Sequence, residues 1–243
     1  MVLENTEKLA EKRSFNRQDL YQVFRESGCT DGEESMKKRL QKMLKSNAIA
    51  RVGRNAYCVP AKGMRRYEYK YSDLSCDAAE LIIKKHPYLN FSIFELIQLN
   101  EFINHQLVHN IVFISIESDL MDFAFDSLKE AYPGKVLVNP TLDIYNKYWT
   151  DNMIVVTKMV TESPKDKEQK WHSRIEKILV DLMSVPILRE SVSESEFPAI
   201  FDGVFSKYIV NESCLLRYAK RRSSEETLRK FIAENTNIIL RTE

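Results

Sequence analysis

Lys37, Lys38, Lys42 and Lys45 crowd around Gln41, and Arg51, Arg54 and Asn55 follow shortly after. Ammonium and guanidinium groups neutralise phosphates, whereas side chains such as Gln41 and Ser35 can address base edges. The apolar residues between them set the geometry. Met36, Leu40, Met43 and Leu44 recur at i, i+4, i+7 and i+8, the spacing of one buried helical face. That leaves Ser35, Lys37, Lys38, Gln41, Lys42 and Lys45 on or near the outer side. Lysines there can also serve only to solvate a helix. The following stretch favours the more specific reading. Residues 49–52 and 56–59 alternate and are β-prone, and Gly53-Arg54-Asn55 supplies turn chemistry. Arg51 and Arg54 therefore stand around a hairpin tip, which suits contact with a phosphate backbone or a minor groove.

Other chemistries find less support. His105 and His109 stand four apart, as a metal pair on a helix would, but no HExxH frame or nearby Cys pair accompanies them. Glu117 and Asp119 flank the end of a strand-like run, where catalytic carboxylates often sit. Helix capping accounts equally well for Asp119, and no further carboxylate and lysine complete a nuclease centre. Lys220-Arg221-Arg222 is a compact basic cluster that either touches phosphate or, more commonly, complements a helix dipole. With six glycines in the chain there is no Gly-rich phosphate loop, and no nucleophile elbow is present. No catalytic residue, metal site or cofactor is assigned.

A chain of 243 residues is ample for a sizeable core and can hold one large domain or two or three small ones. Its 44% hydrophobic and 29% charged residues are those of an ordinary globular protein. The 36 Lys and Arg and 35 Asp and Glu divide unevenly. Residues 1–66 hold 15 of the cations and 8 of the anions, which leaves 21 against 27 in residues 67–243. The first quarter is the part suited to a polyanion, and the remainder would repel one. Four scattered cysteines, no basic and apolar leader, and no apolar run approaching about 20 residues lead to the expectation of a cytoplasmic protein with reduced thiols and no membrane segment.

The positioning elements follow from pattern. A short helix is expected over residues 2–12. Asn16 is a good N-cap, with Asp19 reaching back to it, for a helix that buries Leu20, Tyr21, Val23 and Phe24 and ends near Gly28. The basic helix starts around residues 32–34. Helix, turn, basic helix and hairpin are the order of a winged helix-turn-helix. Residues 65–70 look like a linker into a first strand. Helices over 75–86, 95–104, 118–131 and 141–149 then alternate with strands over 89–94, 110–117, 135–138 and 153–160. Ser118 or Asp119 would cap the third of these helices. Residues 161–170 look like a charged, exposed linker. Ser173 and Glu176 have capping-box spacing for a helix closed by Pro186, and helices over 194–208, 213–222 and 224–235 complete the chain. The expected fold is α+β or α/β. It comprises an N-terminal winged helix (1–62), a central domain with a mixed sheet of four or five strands (67–165), and C-terminal helices packed on it (171–243).

The run from Lys38 to Leu44, with residues 49–57 after it, resembles the amino-terminal winged helix of AbiEi-type antitoxins of bacterial type IV toxin-antitoxin systems. Residues 174–182 are similar to the helix that follows the α/β part of such proteins, and residues 218–222 fit their helical tail. The same layout would suit a related uncharacterised winged-helix family. The resemblance implies a transcriptional autorepressor that binds double-stranded promoter repeats. It further implies that the remaining domain counteracts a nucleotidyltransferase-like toxin without forming a stable complex. The alternatives are a defence-associated nuclease whose winged helix positions DNA, and a winged helix used only for protein contacts.

Overall fold

A computed structural model describes residues 9–166 and 168–241, so the helix expected over residues 2–12 falls mainly outside the described residues. The first unit is built on α1 (Arg17–Glu26) and α2 (Glu33–Lys45), followed by the antiparallel hairpin β1 (Ala50–Gly53) and β2 (Ala56–Cys58). Asn16 caps α1 as expected. Its Oδ1 accepts from the amides of Gln18 and Asp19 at 2.7 and 3.1 Å, and Asp19 accepts in return from the Asn16 amide at 2.8 Å. Phe15, just before the cap, exchanges two backbone hydrogen bonds with Tyr57 of β2, at 2.8 and 2.9 Å. Leu20, Phe24, Met36, Leu40, Met43, Ile49 and Tyr57 close a small core between helices and hairpin.

The second unit is a four-stranded sheet of order β3-β4-β6-β5: β3 (Phe91–Glu95), β4 (Ile111–Ile116), β5 (Val136–Val138) and β6 (Met153–Lys158). β3 runs antiparallel to β4, and the other pairings are parallel, so the sheet is mixed as expected. Both faces are covered. Helices α3 (Asp73–Lys85) and α4 (Met121–Ala131) cover the side carrying Ile93, Val112, Ile114, Ile154 and Val156. The side carrying Phe94, Phe113, Met153 and Val155 packs on α6 (Ile175–Ser184), α8 (Phe197–Lys207), α9 (Glu212–Arg221) and α10 (Glu225–Asn235). The short helices α5 (Leu142–Tyr148) and α7 (Pro186–Ser191) complete the set. Burial on both faces is why β4 is a continuous apolar run rather than an alternating one.

Several local expectations change. Residues 65–70 lead into α3 and not into a strand. Tyr69 and Tyr71 instead meet edge to face at 5.1 Å, and the Tyr71 hydroxyl donates to the Ile93 carbonyl at 2.8 Å. The helix expected over 95–104 is a 3-10 turn, Leu96–Glu101. A 3-10 turn over Ser118–Leu120 displaces the cap of α4 to Leu120, whose own side chain makes no capping bond. Residues 161–170 are mostly exposed, as expected, but they are anchored and do not hang free. Pro164 is buried, Lys165 bridges to Ser173, and the Ile93 amide donates to the Trp171 carbonyl at 2.7 Å, so residues 171–173 guard the open edge of β3. Pro186 does close α6, but as the first residue of α7, where its missing amide costs nothing.

The capping box at Ser173 does not form. The N-cap of α6 is Arg174, and Glu176 turns inward to bond the Arg174 guanidinium at 2.6 Å and the Asn211 amide at 2.8 Å. Glu176 is buried, so it serves a tertiary contact between α6 and α9 rather than the local helix end.

Candidate nucleic-acid interface

The candidate residues divide between two surfaces. The first is the outer face of α2. Gly32 starts the helix without a side-chain cap, Glu33 and Glu34 sit at its positive end, and Lys42 and Lys45 sit at its negative end. With Met36, Leu40 and Met43 buried, Lys37, Lys38, Gln41, Lys42 and Lys45 line one shallow exposed surface together with Glu34. Lys37 is partly satisfied by Glu33 at 3.2 Å, one turn back. Among the described residues, Lys38, Lys42 and Lys45 form no ion pair. Ser35 stands apart from this set. It is half-buried in the first turn of α2, beside the buried Met36. Hydrogen bonds from Cys29 and Ser35, with the Arg39 guanidinium at 2.8 Å, hold the Asp31 carboxyl below the usual carboxylate range.

The second surface is a cleft of about 800 Å³ between α1, the first turn of α2 and the hairpin tip. Arg51, Arg54 and Asn55 line it from the hairpin side. The strands shift register between Arg51 and Gly53, and the Arg51 Nε donates to the Gly53 carbonyl at 3.2 Å. Asn55 adopts a left-handed φ of 54°, a conformation Asn tolerates better than most residues. Its Oδ1 accepts from the Arg17 amide at 3.2 Å, which pins the tip to the start of α1. Asn55 is therefore a positioning residue in this structure. Residues missed from sequence also line the cleft: Arg17, Gln18, Tyr21 and Arg25. The spacing of Arg17, Tyr21 and Arg25, at i, i+4 and i+8, was the available signal.

The remaining candidates are engaged elsewhere. Arg222 reaches the buried Asp181 at 2.9 Å and Arg221 pairs with Glu162 at 2.5 Å, so this basic cluster is largely consumed by internal ion pairs. His105 and His109 face different carboxylates, Glu196 at 2.7 Å and Asp151 at 3.5 Å. Glu117 accepts a hydrogen bond from Asn90. Among the described residues, no group of three or more His, Cys, Asp or Glu side chains is placed to hold a metal ion, and no helix is long and apolar enough to cross a membrane.

No curated protein matches the chain. Among solved structures, the RV2827C protein from Mycobacterium tuberculosis is similar at 10% identity over 98% of this chain and 82% of that one, with a TM-score of 0.22 that carries no argument. Residues 35–238, which begin within the first turn of α2 and run through the last helix, match a family described as being of unknown function, and the chain belongs to that family, DUF6577.

Proposed function

We propose that this chain binds double-stranded DNA through an N-terminal winged helix, represses its own promoter, and acts as the antitoxin of a type IV toxin-antitoxin pair whose toxin is nucleotidyltransferase-like. The observation that carries the DNA half is the outer face of α2, where Lys38, Lys42 and Lys45 flank Gln41 without internal partners among the described residues. The concentration of positive charge in residues 1–66 supports the same reading. In it, α2 lies along the major groove, lysines hold phosphates, and Gln41 addresses a base edge. The antitoxin half is supported by the sequence resemblance to AbiEi-type proteins.

Electrophoretic mobility shift of duplex DNA from upstream of the gene tests the first half. Binding is expected at about 50 mM salt, falling steeply as salt rises, and Lys38→Gln/Lys42→Gln should lower the slope of log Kobs against log salt by about 2. No shift by the wild-type chain at low salt would overturn it. For the second half, co-expression with the product of the adjacent gene should restore growth, and continued toxicity would remove the antitoxin assignment.

A further inference from the structure

The cleft between α1 and the hairpin carries charge that the α2 surface does not account for. Arg17 and Arg25 project from α1 into its wall, opposite Arg51 and Arg54. All four are exposed, and none forms an ion pair among the described residues. The two acids in the cleft are already engaged: Asp31 holds Arg39 at 2.8 Å and Glu33 holds Lys37 at 3.2 Å. What the cleft offers a ligand is thus four uncompensated guanidinium groups. Guanidinium presents a planar fork of donors that matches phosphate oxygens in pairs. The Tyr21 hydroxyl adds a polar group, buried at the wall and without a hydrogen-bond partner among the described residues. The Asn55–Arg17 hydrogen bond joins the two walls, so the arginines are presented on a fixed frame.

We infer that this cleft is a second phosphate-backbone clamp, separate from the outer face of α2, in which Arg17 and Arg25 of α1 work with Arg51 and Arg54 of the hairpin on one strand of the DNA. The inference rests on the proposed DNA binding and extends it to Arg17 and Arg25 of α1, two residues that the helix-and-wing reading leaves unused, set beside the hairpin arginines it already assigns. A clamp made of backbone contacts adds affinity and fixes orientation without reading sequence.

Fluorescence anisotropy on the same promoter duplex, across a salt series, tests it. Arg17→Gln/Arg25→Gln should lower the log–log salt slope by about 2, near 0.9 per lost phosphate contact. The charge-preserving Arg17→Lys/Arg25→Lys should keep the slope, which separates lost charge from a misfolded helix. If the wild type binds and Lys38→Gln/Lys42→Gln weakens it while Arg17→Gln/Arg25→Gln keeps the wild-type slope, the clamp is overturned and the DNA reading stands. Absence of binding by the wild type overturns both. Saturable calorimetric binding of inorganic tripolyphosphate, lost in Arg17→Gln/Arg25→Gln while the DNA slope is unchanged, would assign the cleft to a free anion and also overturn the clamp.

Discussion

Asp181 illustrates how single residues here serve the interior rather than the surface. Its carboxylate, 4% exposed, bonds Lys177 one turn earlier on α6, the Tyr218 hydroxyl at 2.9 Å and the Arg222 guanidinium at 2.9 Å. Lys177 in turn donates to the Ser115 hydroxyl of β4 at 3.1 Å, and Ser115 lies 3.3 Å from Thr157 of β6. One anion thus satisfies two cations at the seam between sheet and helices. Asp181→Asn would leave both cations without a counter-charge and should cost about 3–5 kcal/mol, the scale for breaking a buried pair from one side. Lys177→Met should cost less, because Asp181 keeps Arg222. Urea denaturation of the two variants checks the order, and equal losses would contradict it. Glu95 follows the same logic on the other face of the sheet. Fully buried, it accepts from the Ser72 amide at 3.0 Å, the Ser72 hydroxyl at 2.5 Å and the Tyr69 hydroxyl at 3.1 Å, which places an anion at the positive end of α3. A glutamate inside a strand gives no local sign of this. Its partners, which include the Ser75 hydroxyl, lie 20 or more positions away.

Among the elements, α1 and α2 were legible because their signals are local. The capping box at Asn16 and Asp19 satisfies amides within three residues, and the 3.6-residue apolar period identifies the buried faces. Asn16→Ala should therefore destabilise α1 by about 1 kcal/mol. Hydrogen exchange over residues 17–20 provides the reading, and unchanged protection there would contradict the assigned cap. Elements whose ends depend on tertiary partners were misplaced. The start of α6 is the clearest case: Ser173-Arg174-Ile175-Glu176 has the spacing of a capping box, yet Glu176 finds Arg174 and Asn211 instead. The 3-10 turn after β3 is similar. It buries Leu96 and Leu99, so the run has helical character in its sequence but closes as a tighter helix against the core.

For the molecule as a whole, the notable contact joins the hairpin to the C-terminal helices. Ala50, Val52 and Cys58 form a small buried cluster with Ala56 and Ile209. Arg65 adds a backbone tie: its amide donates to Lys207 at 3.1 Å and its carbonyl accepts from Ile209 at 2.9 Å. The basic unit is thus fastened to the larger body rather than tethered by a free linker. Val52 is 1% exposed at this contact, so Val52→Asp would bury a carboxylate there, beside an Arg241 that already pairs with Glu212 at 3.4 Å. The expected result is an additional, earlier transition in thermal unfolding, accompanied by new protease cleavage within residues 59–66. A single transition at the wild-type temperature would show that the contact does not couple the two parts. In the proposed function this coupling gives the C-terminal body a physical route to the DNA-binding surface.

Apolar period, turn chemistry and the uneven spread of charge were enough to locate both helices of the basic unit, the hairpin, the four strands and most of the later helices. Each of these signals acts over a few residues. The grouping of distant side chains had no such signature. Ser35 is half-buried one residue from the buried Met36, Asn55 accepts from the Arg17 amide, and Arg222 pairs with Asp181, so three polar residues that look available in the chain are partly covered or engaged in the fold. Conversely, Arg17 and Arg25 join Arg51 and Arg54 around one cleft because the hairpin folds back against α1. Local periodicity sets which face of a helix is exposed, but which exposed groups converge depends on how the elements pack.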